Sequence, residues 1–353
     1  MPNNGPIPSY ASERLIGLEL EYDAKTTKLS LPTTTPSGWS RQSDGSLQNG
    51  VEMVLNPPLT LTDATPVVKE FADAFNRART NTFSSGGFHV HVQVADYTEH
   101  DAGNLARLYH HFQTQINRLL GKSRHNNHYC PPFTHSVTDA DLSSRFNLGS
   151  LASTRASAKS ARKYQVVNFA MMRCTRHSDR TVEFRQGSTT KRFECIIGWA
   201  AFCVAMVEIA KNDAMTSAYI GQQASWENFV QMLRDHESMV GASHIADWVV
   251  WRREYLEETP SDELISKAVA AMGRRPRGIF HISRALDINL PLSERTLNAA
   301  VSRGLIAKIG SKYQAKFVSF AGSDLEQLQQ AAEAREAAMP ADRSGEVLPG
   351  EEQ

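Results

Sequence analysis

The sequence predicts an α+β protein: an antiparallel sheet with flanking helices, followed by a small C-terminal module. Three observations predict it. Four short segments alternate between apolar and polar residues, the period of a strand that is dry on one face and wet on the other. Longer segments between them carry apolar residues three and four apart, the period of an amphipathic helix. After Thr259-Pro260 the charge character changes.

Residues 1–12 hold Pro, Gly and Asn and read as an irregular lead. Leu15–Tyr22 is the first strand, with Leu18, Leu20 and Tyr22 on one face and Gly17, Glu19 and Glu21 on the other. Residues 23–45, rich in Thr, Ser, Pro and Gly, are expected to form loop or ragged hairpin, and Asp44-Gly45-Ser46 reads as a β-turn. Val51–Leu55 is a second strand, stopped by Pro57-Pro58. A helix is expected from about Ala64 to Ala78, with Val67, Val68, Phe71 and Phe75 on one stripe. Phe88–Val94 is a strand. Asp101–Leu120 reads as a long amphipathic helix capped by Asp101 and stopped by Gly121. Residues 136–163, dominated by Ser, Ala and Thr, read as a long connection or lid over the site. Tyr164–Ala170 and Thr181–Arg185 are two more strands, Phe193–Lys211 is an apolar helix, and residues 225–258 are helical, with Trp248 and Trp251 packing on one face.

Of the 353 residues, 41% are hydrophobic and 22% charged, with 38 Lys+Arg balanced by 38 Asp+Glu. These ordinary globular values exclude collagen-like, wholly disordered and membrane-spanning classes. Balanced charge argues against a protein that coats nucleic acid along its whole length. No uninterrupted apolar run approaches the roughly 20 residues that cross a bilayer. The segment MPNNGPIPSYASERL lacks the basic and apolar regions of a secretory signal, so a cytoplasmic location is expected. Reduced thiols are expected at Cys130, Cys174, Cys195 and Cys203, the last two as buried small hydrophobes.

The wet faces carry the chemistry. GLELEY puts Glu19 and Glu21 on one face, about 6.6 Å apart along the strand. VEMVL presents Glu52, FHVHV presents His89 and His91, and TVEFR presents Glu183 and Arg185. A single E-x-E or H-x-H on a half-exposed strand is ordinarily solvated or structural. Ordinary wet faces, however, mix Thr, Ser, Lys, Arg and Gln, whereas these carry carboxylates, imidazoles and a guanidinium, with no Lys and little Thr. Carboxylates with imidazole suit Mg²⁺ or Mn²⁺ better than zinc, whose tight helical spacing H-E-x-x-H is absent. Arg185 beside Glu183 can clamp a phosphate oxygen while the carboxylate holds a metal. Neither G-x-x-x-x-G-K-[ST] nor G-x-G-x-x-G occurs, so no glycine cradle for phosphate is indicated.

In order, GLELEY, DGSLQNGVEMVLNPPL, GGFHVHV, KSRHNNHYC, YQVVNF and TVEFRQGSTT resemble the putative amidoligase family, a branch of the carboxylate–amine ligases with the glutamine-synthetase fold. The resemblance spans about residues 14–210 and implies a catalytic domain over 13–258. It implies a cup of antiparallel strands that binds ATP and Mg²⁺ or Mn²⁺. There a carboxylate becomes an acyl phosphate, which an amine attacks to give an amide. Carried over by position, Glu21 and Glu52 would hold one metal, and Glu19, His89 and Glu183 the metal on the ATP phosphates. Arg185 would neutralise the transferring phosphoryl group, Arg124 would clamp phosphate or carboxylate, and His91 would orient a ligand. Asn168 is a candidate nucleotide or substrate contact, with a solvent-facing sheet Asn as the plain alternative. Gly86 stands where the family often has Cys, and Leu55-Asn56 replaces a Ser-Pro step after Glu52. His125 and His128 suit a polar rim, and His110 and His111 read as surface or packing residues.

Residues 261–320 resemble a winged helix: helices at Ile279–Leu286 and Ser293–Ser302 joined by a turn at Pro291, then strands Leu305–Ile309 and Tyr313–Ser319 around Gly310-Ser311-Lys312. Between Asp262 and Lys316 ten basic residues face four acidic ones, so nucleic acid is a partner this module could take. Residues 321–353 carry eight acids and two Arg and read as a helix fraying into an acidic tail. The expected partners of the whole are a carboxylate and an amine, from amino acids, peptides or proteins, and no membrane. Two other readings remain open: a kinase on the same scaffold, and a non-catalytic DNA-binding or scaffold protein.

Overall fold

The computed structural model describes residues 5–22, 31–43, 50–78, 80, 86–125, 129–133, 165–257, 260, 262–272, 282, 286, 290–302, 306–309 and 316–319. The turn at Asp44-Gly45-Ser46, the connection 136–163, His128, most of the expected helix Ile279–Leu286, the Gly310-Ser311-Lys312 tip and the tail 321–353 lie outside them. The chain is α+β and divides into two compact units, Met1–Leu256 and Glu257–Gln353.

The first unit is built on one sheet. Its strands are β1 (Leu15–Tyr22), β2 (Trp39–Gln42), β3 (Val51–Leu55), β4 (Leu59–Thr60), β5 (Gly87–Gln93), β6 (Val167–Asn168) and β7 (Thr181–Ser188). They lie in the order β2-β3-β1-β5-β7-β6, every pair antiparallel, with β4 against the start of β1. Alternation in the sequence becomes alternation in burial. Ile16, Leu18, Leu20 and Tyr22 are all fully buried, while Gly17, Glu19 and Glu21 are not. Full burial of such an aliphatic side chain contributes roughly 1.5–3 kcal/mol. A one-residue slip would turn the whole apolar set to solvent, so this face fixes the register.

Helices cover the apolar face. They are α1 (Leu61–Arg77), α2 (Glu99–His111), α3 (Gln113–Asn117), α4 (Phe193–Lys211), α5 (Asp213–Ile220), α6 (Trp226–Val240) and α7 (Ile245–Glu257). On α1, Phe71 stacks on Trp39 and Phe75 packs on Tyr22. By length and composition α4 could cross a membrane, which the sequence reading did not expect. Yet 83% of its most apolar stretch is buried inside the fold, which is how a central core helix satisfies its side chains.

Several expectations need correction. Residues 39–42, inside the stretch expected to be loop or ragged hairpin, form β2 antiparallel to β3, a strand whose bounds were not expected. WSRQ has one buried residue, Trp39, and no visible alternation. The helix expected from about Ala64 begins at Leu61. Thr60 caps it by accepting the Asp63 N–H, and Pro66 is accommodated inside it. Asp101 is not a cap. Thr98 is, and Asp101 closes the capping box three residues on. The helix then breaks at Phe112. The strand expected over Tyr164–Ala170 shrinks to Val167–Asn168, followed by a 3₁₀ turn at Ala170–Arg173.

The second unit contains α8 (Asp262–Met272), α9 (Leu290–Ser302) and the antiparallel pair β8 (Ile306–Ile309) and β9 (Lys316–Ser319). Its own core joins Ile265, Ala268, Ile282, Leu297, Ala300 and Ile306. Pro291 lies in the first turn of α9 rather than in a loop, because a proline near a helix start forgoes an N–H that would have no partner.

Candidate functional site

The register of the sheet assembles the polar face. Glu21 lies opposite Glu52 across β1 and β3, and Glu19 lies opposite His89 across β1 and β5. His91 lies opposite Glu183 across β5 and β7, and Glu183 lies opposite Asn168 across β7 and β6. Residues directly opposite have Cβ atoms about 5 Å apart, so these pairs form one continuous patch over five strands.

The atoms converge closely. His89 Nδ1 is 3.3 Å from Glu19 Oε2 and 3.5 Å from Glu183 Oε1, and its Nε2 is 3.6 Å from Glu21 Oε1. His91 Nε2 is 3.2 Å from Glu19 Oε1 and 4.0 Å from Glu183 Oε1. Arg185 Nη1 is ion-paired with Glu183 Oε1. Among the described residues, two overlapping sets have ligand atoms all within 4.8 Å of one another: Glu19, His91 and Glu183, and Glu19, Glu52 and His89.

Burial is the largest influence on Glu19 and would raise its pKa, but His89 and His91 outweigh it and hold the carboxyl well below the usual range. Glu183 is also lowered: burial opposes this, and Arg185, His91, His89 and Asn168 together prevail. Burial alone would lower His91; the Glu19 and Glu183 carboxylates reverse that and hold it above the ordinary histidine value. The face therefore presents ionised carboxylates in a partly dry setting, which favours a divalent cation.

One observation tests whether a cation fits. His91 Nε2 is buried and has no hydrogen-bond partner among the described residues, although a carboxylate oxygen lies 3.2 Å away. A metal shared with the neighbouring carboxylates could take this nitrogen in place of the proton that those carboxylates favour. The donor set of carboxylates and imidazoles fits Mg²⁺ or Mn²⁺.

The structure thus brings together Glu19, Glu21, Glu52, His89, Glu183 and Arg185. It groups them differently from the sequence expectation. His91, expected only to orient a ligand, belongs to a ligand-capable set. Glu21 belongs to neither set: its Oε2 accepts the Gly87 N–H at 2.7 Å. An added Cβ at Gly87 would sit 2.8 Å from His89 Nε2 and 3.0 Å from Glu21 Oε2, so a side chain there would push those two site groups aside.

Arg124, at the end of a 3₁₀ turn over Lys122–Arg124, is 2% exposed. Its Nη2 donates to the Arg185 carbonyl at 2.6 Å, so part of the expected clamp braces β7, while its Nε has no hydrogen-bond partner among the described residues. Asn168 does not face solvent; it is 6% exposed and bonds Glu183. His125 contacts the Leu120 carbonyl at 3.1 Å, away from the ligand sets.

Gln186 is a supporting residue the sequence reading missed. Fully buried, it bonds Tyr109, Gln113, Asn117 and the Arg124 carbonyl, tying β7 to α2 and α3. The signal was present, since two-residue alternation groups Gln186 with Val182 and Phe184 on the apolar face.

An antiparallel sheet with helices on one face and carboxylates, imidazoles and a guanidinium on the other defines an α+β protein with a candidate cation-binding face. The chain matches the family described as "Putative amidoligase enzyme" over residues 17–207, more than half its length, and it belongs to that family. No curated protein matches it.

Proposed function

We propose that the chain is an ATP- and Mg²⁺-dependent ligase that joins a carboxylate to an amine, with the polar face of the sheet serving as a catalytic cup of the glutamine-synthetase type. The observation that carries this reading is the convergence of Glu19, Glu52, Glu183, His89 and His91 into two ligand-capable sets beside Arg185. Membership of the amidoligase family supports amide formation as the outcome.

Glu19 is common to both sets, so it would hold either ion, with Glu52 and His89 on one side and His91 and Glu183 on the other. Held by these residues, divalent ions would supply charge neutralisation for the triphosphate and so favour phosphoryl transfer. A substrate carboxylate oxygen attacks the γ-phosphorus, the bond to the β,γ-bridging oxygen breaks, and ADP leaves. Arg185 faces the same spot and offsets the charge of the moving phosphoryl group, and Arg124 holds the backbone that carries Arg185. The amine then attacks the acyl carbon of the acyl phosphate, inorganic phosphate leaves with the C–O electron pair, and the amine gives up one proton.

The second unit, with two helices and a short antiparallel pair among the described residues and a surplus of basic residues, is read as winged-helix-like. Nucleic acid is a partner that this unit could take.

The test is incubation with ATP, Mg²⁺ and mixed amino acids or peptides, reading ADP release and product mass together. The expected result is one ADP per amide, lost in Glu19→Ala and Glu183→Ala by at least about 10²-fold. Normal turnover in either variant would sink the site, and a stable phosphorylated product without amide would favour a kinase.

A further inference from the structure

Asn168 borders the ligand-capable sets without belonging to either. Its strand, β6, places it opposite Glu183, and both ends of its side-chain amide are engaged. Oδ1 accepts the Ala170 backbone N–H at 2.9 Å, and Nδ2 donates to Glu183 Oε2 at 2.8 Å. The first bond dictates the second. A backbone N–H can only donate, so the amide oxygen must lie at the Ala170 end and the NH₂ must turn toward Glu183. With Oε2 held by Asn168, Oε1, which is ion-paired with Arg185 Nη1, faces His89 Nδ1 at 3.5 Å and His91 Nε2 at 4.0 Å.

We propose that Asn168 is a positioning residue that holds the Glu183 carboxylate with Oε1 turned into the metal cluster, rather than a contact for nucleotide or substrate. The inference rests on the metal-binding reading above. The terminal torsion of a glutamate is broad and Arg185 holds only Oε1, so without Asn168 the carboxylate would have to be ordered further each time an ion bound. The turn at Ala170 fixes Asn168, and Asn168 in turn fixes Glu183. The ordering therefore belongs to the fold. Partners of this kind are typically worth 10- to 100-fold in metal affinity.

The experiment is a calorimetric Mn²⁺ titration of the full-length, metal-free protein, comparing wild type with Asn168→Ser and Asn168→Leu, with affinities expressed per folded protein. Serine can still accept the Ala170 N–H, as it does in turns of this type, but is too short to reach Glu183. Leucine keeps the approximate volume and makes neither bond. Both variants should bind Mn²⁺ at least about tenfold more weakly than wild type, and Asn168→Ser should still unfold cooperatively without metal. A folded Asn168→Ser with wild-type Mn²⁺ affinity would overturn the positioning role and leave the metal reading standing. Wild-type protein that binds no Mn²⁺ would overturn the metal reading and this inference together. If Asn168→Leu does not fold, Asn168→Ser alone decides.

Discussion

Glu19 shows how much one residue can depend on its neighbours. Alone on a strand it would be an ordinary solvated carboxylate; between His89 and His91 it stays ionised despite burial, and it is the one member common to both ligand-capable sets. His236 is the opposite case, a titratable residue whose burial has no partner of opposite charge close enough to offset it. It is 1% exposed in α6, and one ring nitrogen meets the Tyr10 hydroxyl at 2.8 Å. Burial pushes its pKa from 6.5 down to about 4, against a smaller upward pull from Glu208. The unfolded chain takes up this proton near pH 6.5, and the folded chain only near pH 4. Its stabilising contribution is therefore complete above about pH 6.5 and is lost as pH falls toward 4, by roughly 3 kcal/mol at most. Urea denaturation at a series of pH values should show this loss in wild type, and His236→Gln should lack it. Equal slopes in both proteins would refute the assignment.

At the scale of elements, strand β1 carries out two tasks through one alternation. Its even-numbered residues anchor the sheet to the core, and Glu19 and Glu21 face the site, so a substitution on one face is felt through register on the other. Helix α4 depends on close approach instead. A Cβ at Gly198 would fall 2.0 Å from Trp248 Nε1, which donates to the Glu194 carbonyl at 2.8 Å. Alanine there gains up to about 1 kcal/mol of helix propensity. Displacing a buried indole costs typically 1–3 kcal/mol, and here it also breaks the indole hydrogen bond. The clash should win, with Gly198→Ala net destabilised by about 2 kcal/mol in urea denaturation. A stabilised variant would show that α4 and α7 can separate without cost.

For the molecule as a whole, each of the two units carries its own hydrophobic core, and among the described residues the two cores have no member in common. All the residues proposed to bind metal lie in the first. A chain ending at Glu257 should therefore melt cooperatively within a few degrees of the full-length first unit and retain Mn²⁺ binding. Circular dichroism and the same calorimetric titration check this; loss of the cooperative transition would mean that the second unit is needed to fold the first.

Strands with one apolar face were legible because alternation is a local property. That is why Leu15–Tyr22 and Val51–Leu55 were located to the residue, and why the carboxylates, both His and Arg185 were assigned to one wet face. β2 was not legible: Trp39 is its only buried residue, and it forms by pairing with β3 rather than by its own pattern. The division into ligand sets was equally hidden. Glu19, Glu21, His89 and His91 share the same two-residue spacing, and only distances across strands separate the ligand-capable His91 from Glu21, which is committed to the Gly87 N–H.

By itself, then, the amino-acid order determined which side chains would be wet, which would be dry and which chemistry the wet ones could perform, because period and polarity act between near neighbours in the chain. Tertiary structure alone decided that Asn168 grips Glu183, that Arg124 braces the strand bearing Arg185, and that Glu19 stands between two histidines. Those relations join residues from different strands, and they exist only once long-range pairing has set the register.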